Sequence, residues 1–187
     1  MSDASTDAGA RVVADTRRWL ERAVIGLNLC PFAKAVHAKG QVHYAVSSAA
    51  GWRELGADLV RELDDLVRAD PQQRETTLLM LTDCLHEFVE FSAYLQEAQR
   101  ILARLGLEGS IQLASFHPEY QFANTGVDDI ANCTNRSPYP TLHLLREASV
   151  TSAVEAFPRA AAIYELNMET MRRLGPAGWA ALGVVRP

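Results

Sequence analysis

The run SFHPEYQFANTGVDDIANCTNRSPYP, residues 115–140, sets a histidine, an arginine, two tyrosines and several carboxylates and amides among prolines. No helical or strand period fits it. Tyr120, Phe122 and Ile130 give it packing of its own, so it reads as an ordered lid over a small-molecule site. His117 is held extended by Pro118 and has the titration range of a general base. Glu119 or Asp83 would orient it. Arg136 can clasp a carboxylate or phosphate through two parallel bonds. Pro138 and Pro140 stand where a helix can begin, and a helix from about Pro140 to Glu147 would point free amides at an anion. His143 and Arg146 would then share one helical face.

These residues define an anion site with Arg136 and Arg146 as its cations. Ser137, Tyr139, Tyr120, Asn135 and Asp83 are further contacts, and His117 or His143 is the base. A metal set can also be assembled from His117, His143, Asp128 and Asp129, although no paired ligand spacing accompanies it. Gly126 and the Asp and Asn side chains around it equally suit turns. A structural network of arginine and carboxylates pinning the lid is the bland alternative.

A second candidate is Cys30 in NLCPFA. Pro31 suits the first position of a new helix, which would put Cys30 at its cap and favour a reactive thiol, a nucleophile if it reaches the same crevice. A buried, inert cysteine beside Phe32 is the competing reading.

The positioning elements follow from periodicity. Val12, Val13, Trp19, Leu20, Ala23, Val24 and Leu27 mark an amphipathic helix over 11–27. QVHYAV (41–46), TTLLMLT (76–82) and SIQLASF (110–116) read as strands, the second buried on both faces. Between them lie helices carrying Leu55, Leu59, Leu63 and Leu66, then Phe88, Phe91, Leu95, Ala98 and Leu102. Strand–helix–strand–helix–strand predicts an α/β domain with a small, mostly parallel sheet flanked by helices and a helical C-terminal region. A site is then expected beyond the carboxyl ends of the strands, near Ser47, Ser48, Thr82–Cys84, His86 and His117. Ser152 and Glu155 resemble a capping box, Pro158 would interrupt that helix, and a last helix would stop at Gly175-Pro176. Residues 1–10 read as a frayed tail, 11–175 as one domain and 176–187 as a C-terminal tail.

Composition narrows the classes. Of 187 residues, 48% are hydrophobic and 22% charged, and the net charge of −5 offers no basic footprint for nucleic acid or anionic membranes. No signal peptide and no spanning run is expected, and Cys30, Cys84 and Cys133 lack paired spacing, which fits a reducing cytoplasm.

NLCPFA together with FHPEYQF…NRSPYPTLHLLRE resembles domain-of-unknown-function family 1415, over roughly Thr16 to Leu174. The resemblance implies one intact domain of a bacterial protein and brings no reaction or cofactor with it. The residues themselves leave three functions open. One is an enzyme acting on a small anionic metabolite. Another is a metal-dependent hydrolase or oxidoreductase using His117, His143 and loop carboxylates. The third is a non-catalytic module that binds a ligand or partner.

Overall fold

A computed structural model describes residues 2–156 and 162–184. The apolar periods become helices α1 (Ser2–Trp19), α2 (Ala33–Ala38), α3 (Trp52–Arg68), α4 (Phe88–Arg104), α5 (Glu147–Ala156) and α6 (Ile163–Ala181). The strands are β1 (Val42–Ser47), β2 (Thr76–Leu81), β3 (Ile111–Phe116) and β4 (Thr141–Arg146). Helix α1 takes in most of the segment expected as a tail. It continues as a π-helical turn over Leu20–Ile25, and the wider turn brings the Arg22 carbonyl so close to Gly26 that a Cβ there would overlap it. Helix α6 breaks at Gly175, whose φ of 68° is left-handed, and resumes at Pro176 as far as Ala181.

The sheet order is β1-β2-β4-β3, and only β1–β2 pairs in parallel. The mostly parallel sheet is therefore corrected to a mixed one. Residues 140–147, expected as a helix, supply the strand β4, inserted antiparallel between β2 and β3. TLHLLR alternates faces. Leu142 and Leu144 join the core under α3 and α4, while His143 belongs to the other face beside Leu78 and Ala114. Pro140 precedes the strand, where its missing N–H costs nothing, and its carbonyl accepts from the Leu81 amide at 2.9 Å. The Ser152 capping box is also overturned. Residue 152 lies inside α5, and its hydroxyl donates to the Ala148 carbonyl one turn back. Pro158 lies outside the described residues.

Each sheet face has its own core. On one, Leu55, Leu59, Leu63 and Leu66 of α3 and Phe91, Ala98 and Leu102 of α4 cover Leu79, Leu81, Leu142 and Leu144. On the other, Trp19, Leu20 and Val24 of the first helix, with Met171 and Trp179 of α6, cover Leu78, Met80 and Tyr139. This second cover is incomplete: along the edge strand β3, Ala114 and Phe116 stay only half-buried. Among the described residues no helix is long and apolar enough to cross a membrane.

Candidate functional site

The segment 117–140 is a self-contained structure. His117 is fully buried, its ring packed against Phe91 and Phe88 at 5.0 and 5.4 Å. Its Nδ1 accepts the Glu119 amide at 3.0 Å, so Nε2 carries the proton and donates to the Leu85 carbonyl at 3.1 Å. Both nitrogens are occupied. Burial lowers its pKa, opposed by the Leu85 carbonyl and the Glu119 charge. The Glu119 side chain is exposed.

Ring contacts then run outward from Phe88 to Tyr120, to Phe122 and to Tyr164. The hub of the loop is Asn132, also fully buried, which sequence reasoning passed over. Its Oδ1 accepts from the Phe122 amide and the Thr125 hydroxyl, and its Nδ2 donates to the Gly126 carbonyl. Asp129 accepts from the Ala131 amide and caps a short 3-10 turn over Ile130–Thr134. Asp128 is exposed.

Arg136 points into this loop. Its guanidinium donates to the Tyr120 carbonyl at 3.2 Å and the Val127 carbonyl at 2.7 Å, the arrangement of a clasp. The Asn135 carbonyl accepts the His117 amide, and the Ser137 hydroxyl donates to the Tyr139 carbonyl. The Tyr139 hydroxyl donates to Asp15 of α1 at 3.0 Å, and Asp83 accepts from Thr82. The expected crevice at the carboxyl ends of the strands is crossed by similar ties. Ser47 meets Asp58, and the Thr82 amide donates to the Ser47 carbonyl.

Arg146 belongs to another region. Its Nη2 donates to the carbonyls of Leu66, Ala69 and Arg74, closing the C-terminus of α3. With β4 a strand, the helix that would have joined Arg136, His143 and Arg146 around an anion is absent. His117 and His143 lie on opposite faces of the sheet, so one metal ion cannot take both. Among the described residues no three His, Cys, Asp or Glu side chains gather as a metal site.

A concavity lies across the incompletely covered face. A cavity of about 810 Å³ opens between the sheet, the first helix, the Cys30–Val36 segment and α5. Trp19, Leu78, Ala114, Phe116 and His143 line it, as do the polar Lys39, Gln41, Glu75, Gln112 and Arg146. It spans the amino-terminal halves of β1 and β2, opposite to the expected edge. Strand register sets His143 between Leu78 and Ala114, the smallest of the side chains that β3 presents on this face. Trp19 meets Phe116 edge-on at 5.0 Å.

Cys30 lines the same cavity and is half-buried. It is not a helix cap: α2 starts at Ala33 with Phe32 before it, and is six residues long. The Leu29 carbonyl beside it accepts from Asn167 of α6 at 2.8 Å.

His143 has a different balance of bonds from His117. The Thr76 hydroxyl donates to the Leu144 carbonyl at 2.7 Å and lies 2.8 Å from His143 Nε2. A hydroxyl has one proton, so Nε2–H must donate to Thr76, which leaves Nδ1 as an acceptor. Among the described residues no donor reaches Nδ1. Nor is it one of the sealed, unpartnered polar atoms, which are Tyr44 Oη, Tyr94 Oη and Arg146 Nε. The atom therefore meets the cavity. Enclosure of the ring pushes its pKa down from 6.5 to about 4, so the imidazole is neutral at pH 7. Thr76, Ala114, Trp19 and Phe116 were not singled out from sequence. The signal was the alternation in TLHLLR, which puts one histidine among strand residues facing away from Leu142 and Leu144.

By fold the chain is a mixed α/β domain with a four-stranded sheet and one broad apolar cavity described on its second face. It belongs to the family described as Protein of unknown function (DUF1415), which matches residues 11–181. No curated protein and no solved structure matches the chain.

Proposed function

We propose that this protein binds a small, largely apolar molecule in the cavity between the sheet, α1, α2 and α5. The observation that carries the reading is the cavity itself. Its volume falls in the range of roughly 300–1,000 Å³ usual for small-molecule sites, and its lining is mostly apolar with a few polar groups, one imidazole among them, the pattern such sites share. An anionic metabolite held by Arg136 and Arg146 has less support, because both guanidinium groups are committed to backbone carbonyls.

The test is a thermal-shift and calorimetric titration with naphthalene derivatives against wild type and Ala114→Phe. Binding to wild type that is lost in a folded Ala114→Phe supports the reading. Equal binding to both, or none to either, contradicts it.

One observation favours a catalytic version: Cys30 and His143 line the same cavity. In that version the Cys30 thiol acts on the bound molecule. Alkylation of Cys30 by N-ethylmaleimide should then be slowed when a naphthalene ligand occupies the cavity, and an unchanged rate would remove Cys30 from it.

A further inference from the structure

We infer that the cavity selects neutral ligands carrying a hydrogen-bond donor, a hydroxyl above all, which they give to His143 Nδ1. This rests on the cavity-binding reading and names the ligand class that the reading leaves open.

The argument is a relay of single protons. The Leu144 carbonyl can only accept, so the Thr76 hydroxyl gives it its proton. The lone pairs left on that hydroxyl accept Nε2–H of His143. The tautomer is thereby locked, and Nδ1 presents a lone pair to the cavity. Leu78 and Ala114 flank His143 in register, the Phe116 ring lies 5.9 Å from the imidazole and Trp19 packs on Phe116, and none of the four offers a strong acceptor or a charge.

A ligand hydroxyl placed there gains a bond that replaces the water it leaves. An ether in the same place leaves the lone pair unpaired, and a desolvated acceptor without a partner costs about 1–3 kcal/mol. A carboxylate would set acceptor against acceptor while losing its own hydration, which is worse. An ammonium can donate, but Glu75, the one carboxylate among the described lining residues, exerts no pull on His143, whose shift comes from burial alone. The aromatic walls, with Trp19 edge-on to Phe116, suit a flat hydroxylated ring.

Thr76 is a positioning residue in this scheme, because it acts by fixing which nitrogen carries the proton. Thr76→Val keeps the shape and the imidazole but removes the relay. The ring can then place its proton on Nδ1 and greet acceptors instead. That reversal separates a tautomer lock from a merely structural threonine, since lost packing would weaken all ligands together.

Four probes of one shape decide it: 1-naphthol, 1-methoxynaphthalene, 1-naphthoate and 1-naphthylmethylammonium, titrated by calorimetry at pH 7.5. The expected result for wild type is 1-naphthol at least tenfold tighter than the methoxy compound, with both ions weaker than either. In His143→Phe the preference of naphthol over its ether should fall to within about twofold. In Thr76→Val it should shrink or reverse in favour of the ether. Equal affinity of naphthol and ether for wild type would overturn the donor proposal while leaving the cavity as a binding site. A tenfold preference that survives in both variants would overturn it as well. Failure of all four probes to bind overturns the cavity reading and this inference together.

Discussion

His117 and His143 stand on opposite faces of one sheet and differ in what their nitrogens have left to offer. His117 sits in the region dense with polar residues, yet its two nitrogens are both matched, by the Glu119 amide and the Leu85 carbonyl. His143 sits among apolar side chains with one nitrogen tied to Thr76 and the other facing a cavity. The polar density of the loop is used up inside the loop: Asn132, Asp129 and Arg136 satisfy its backbone, as a long ordered segment requires. The cavity is mostly apolar, and Nδ1 of His143 on its lining has no donor among the described residues. Polar groups that satisfy one another build structure. An unsatisfied one on the wall of a cavity is what a ligand can meet.

The largest effect that sharpens this contrast comes from the hub of the loop. Asn132→Ala removes the partner of the Phe122 amide and of the Gly126 carbonyl, and should destabilise by about 4 kcal/mol in chemical denaturation. Where the variant remains folded, naphthalene binding should persist.

The next effect is on pH. The folded pKa of His143 lies below its ordinary 6.5, at about 4, so the unfolded chain takes up the proton first. Stability is therefore full above about pH 6.5 and is lost as the pH falls towards 4, by on the order of 3 kcal/mol from this residue. Burial lowers the pKa of His117 and His43 as well, and both add in the same direction. Urea unfolding from pH 7.5 to 4 should show a shallower decline in His143→Phe than in wild type.

A smaller, paired comparison follows. His117→Leu leaves a buried carbonyl and a buried amide without partners and should cost about 2–3 kcal/mol at pH 7.5. His143→Phe should stay within about 1 kcal/mol of wild type, because Thr76 keeps its bond to Leu144 and the larger ring fills space. Equal losses for the two variants would erase the distinction between them. The smallest effect belongs to Arg136→Ala, about 1 kcal/mol by the same titration, with faster proteolysis between 117 and 136 and no change in naphthalene affinity.

Much of the fold was legible because its signals were strong. Leu55, Leu59, Leu63 and Leu66 recur on one face and are all fully buried, and TTLLML is buried throughout. TLHLLR was misread because Pro140 is an equally good opening for a helix, and the period-2 alternation in a six-residue strand is short evidence against it. That one error made the sheet mostly parallel and gave the anion reading a helix that the structure replaces with a strand. Local residue chemistry could not correct it, since β4 is specified by its pairing with β2 and β3. The site was legible only in part. Cys30 and His143 were named as reactive candidates, but the cavity they share exists because β3 lacks full helical cover, and that is a property of tertiary packing.

The most direct measurement is a two-dimensional amide and methyl NMR titration of the full chain with 1-naphthol at pH 7.5. The account predicts that Cys30, Leu78, Ala114 and His143 shift in step with saturation while residues 119–136 stay still. Shifts concentrated in 119–136, with the cavity residues unmoved, would contradict it and return the site to the loop.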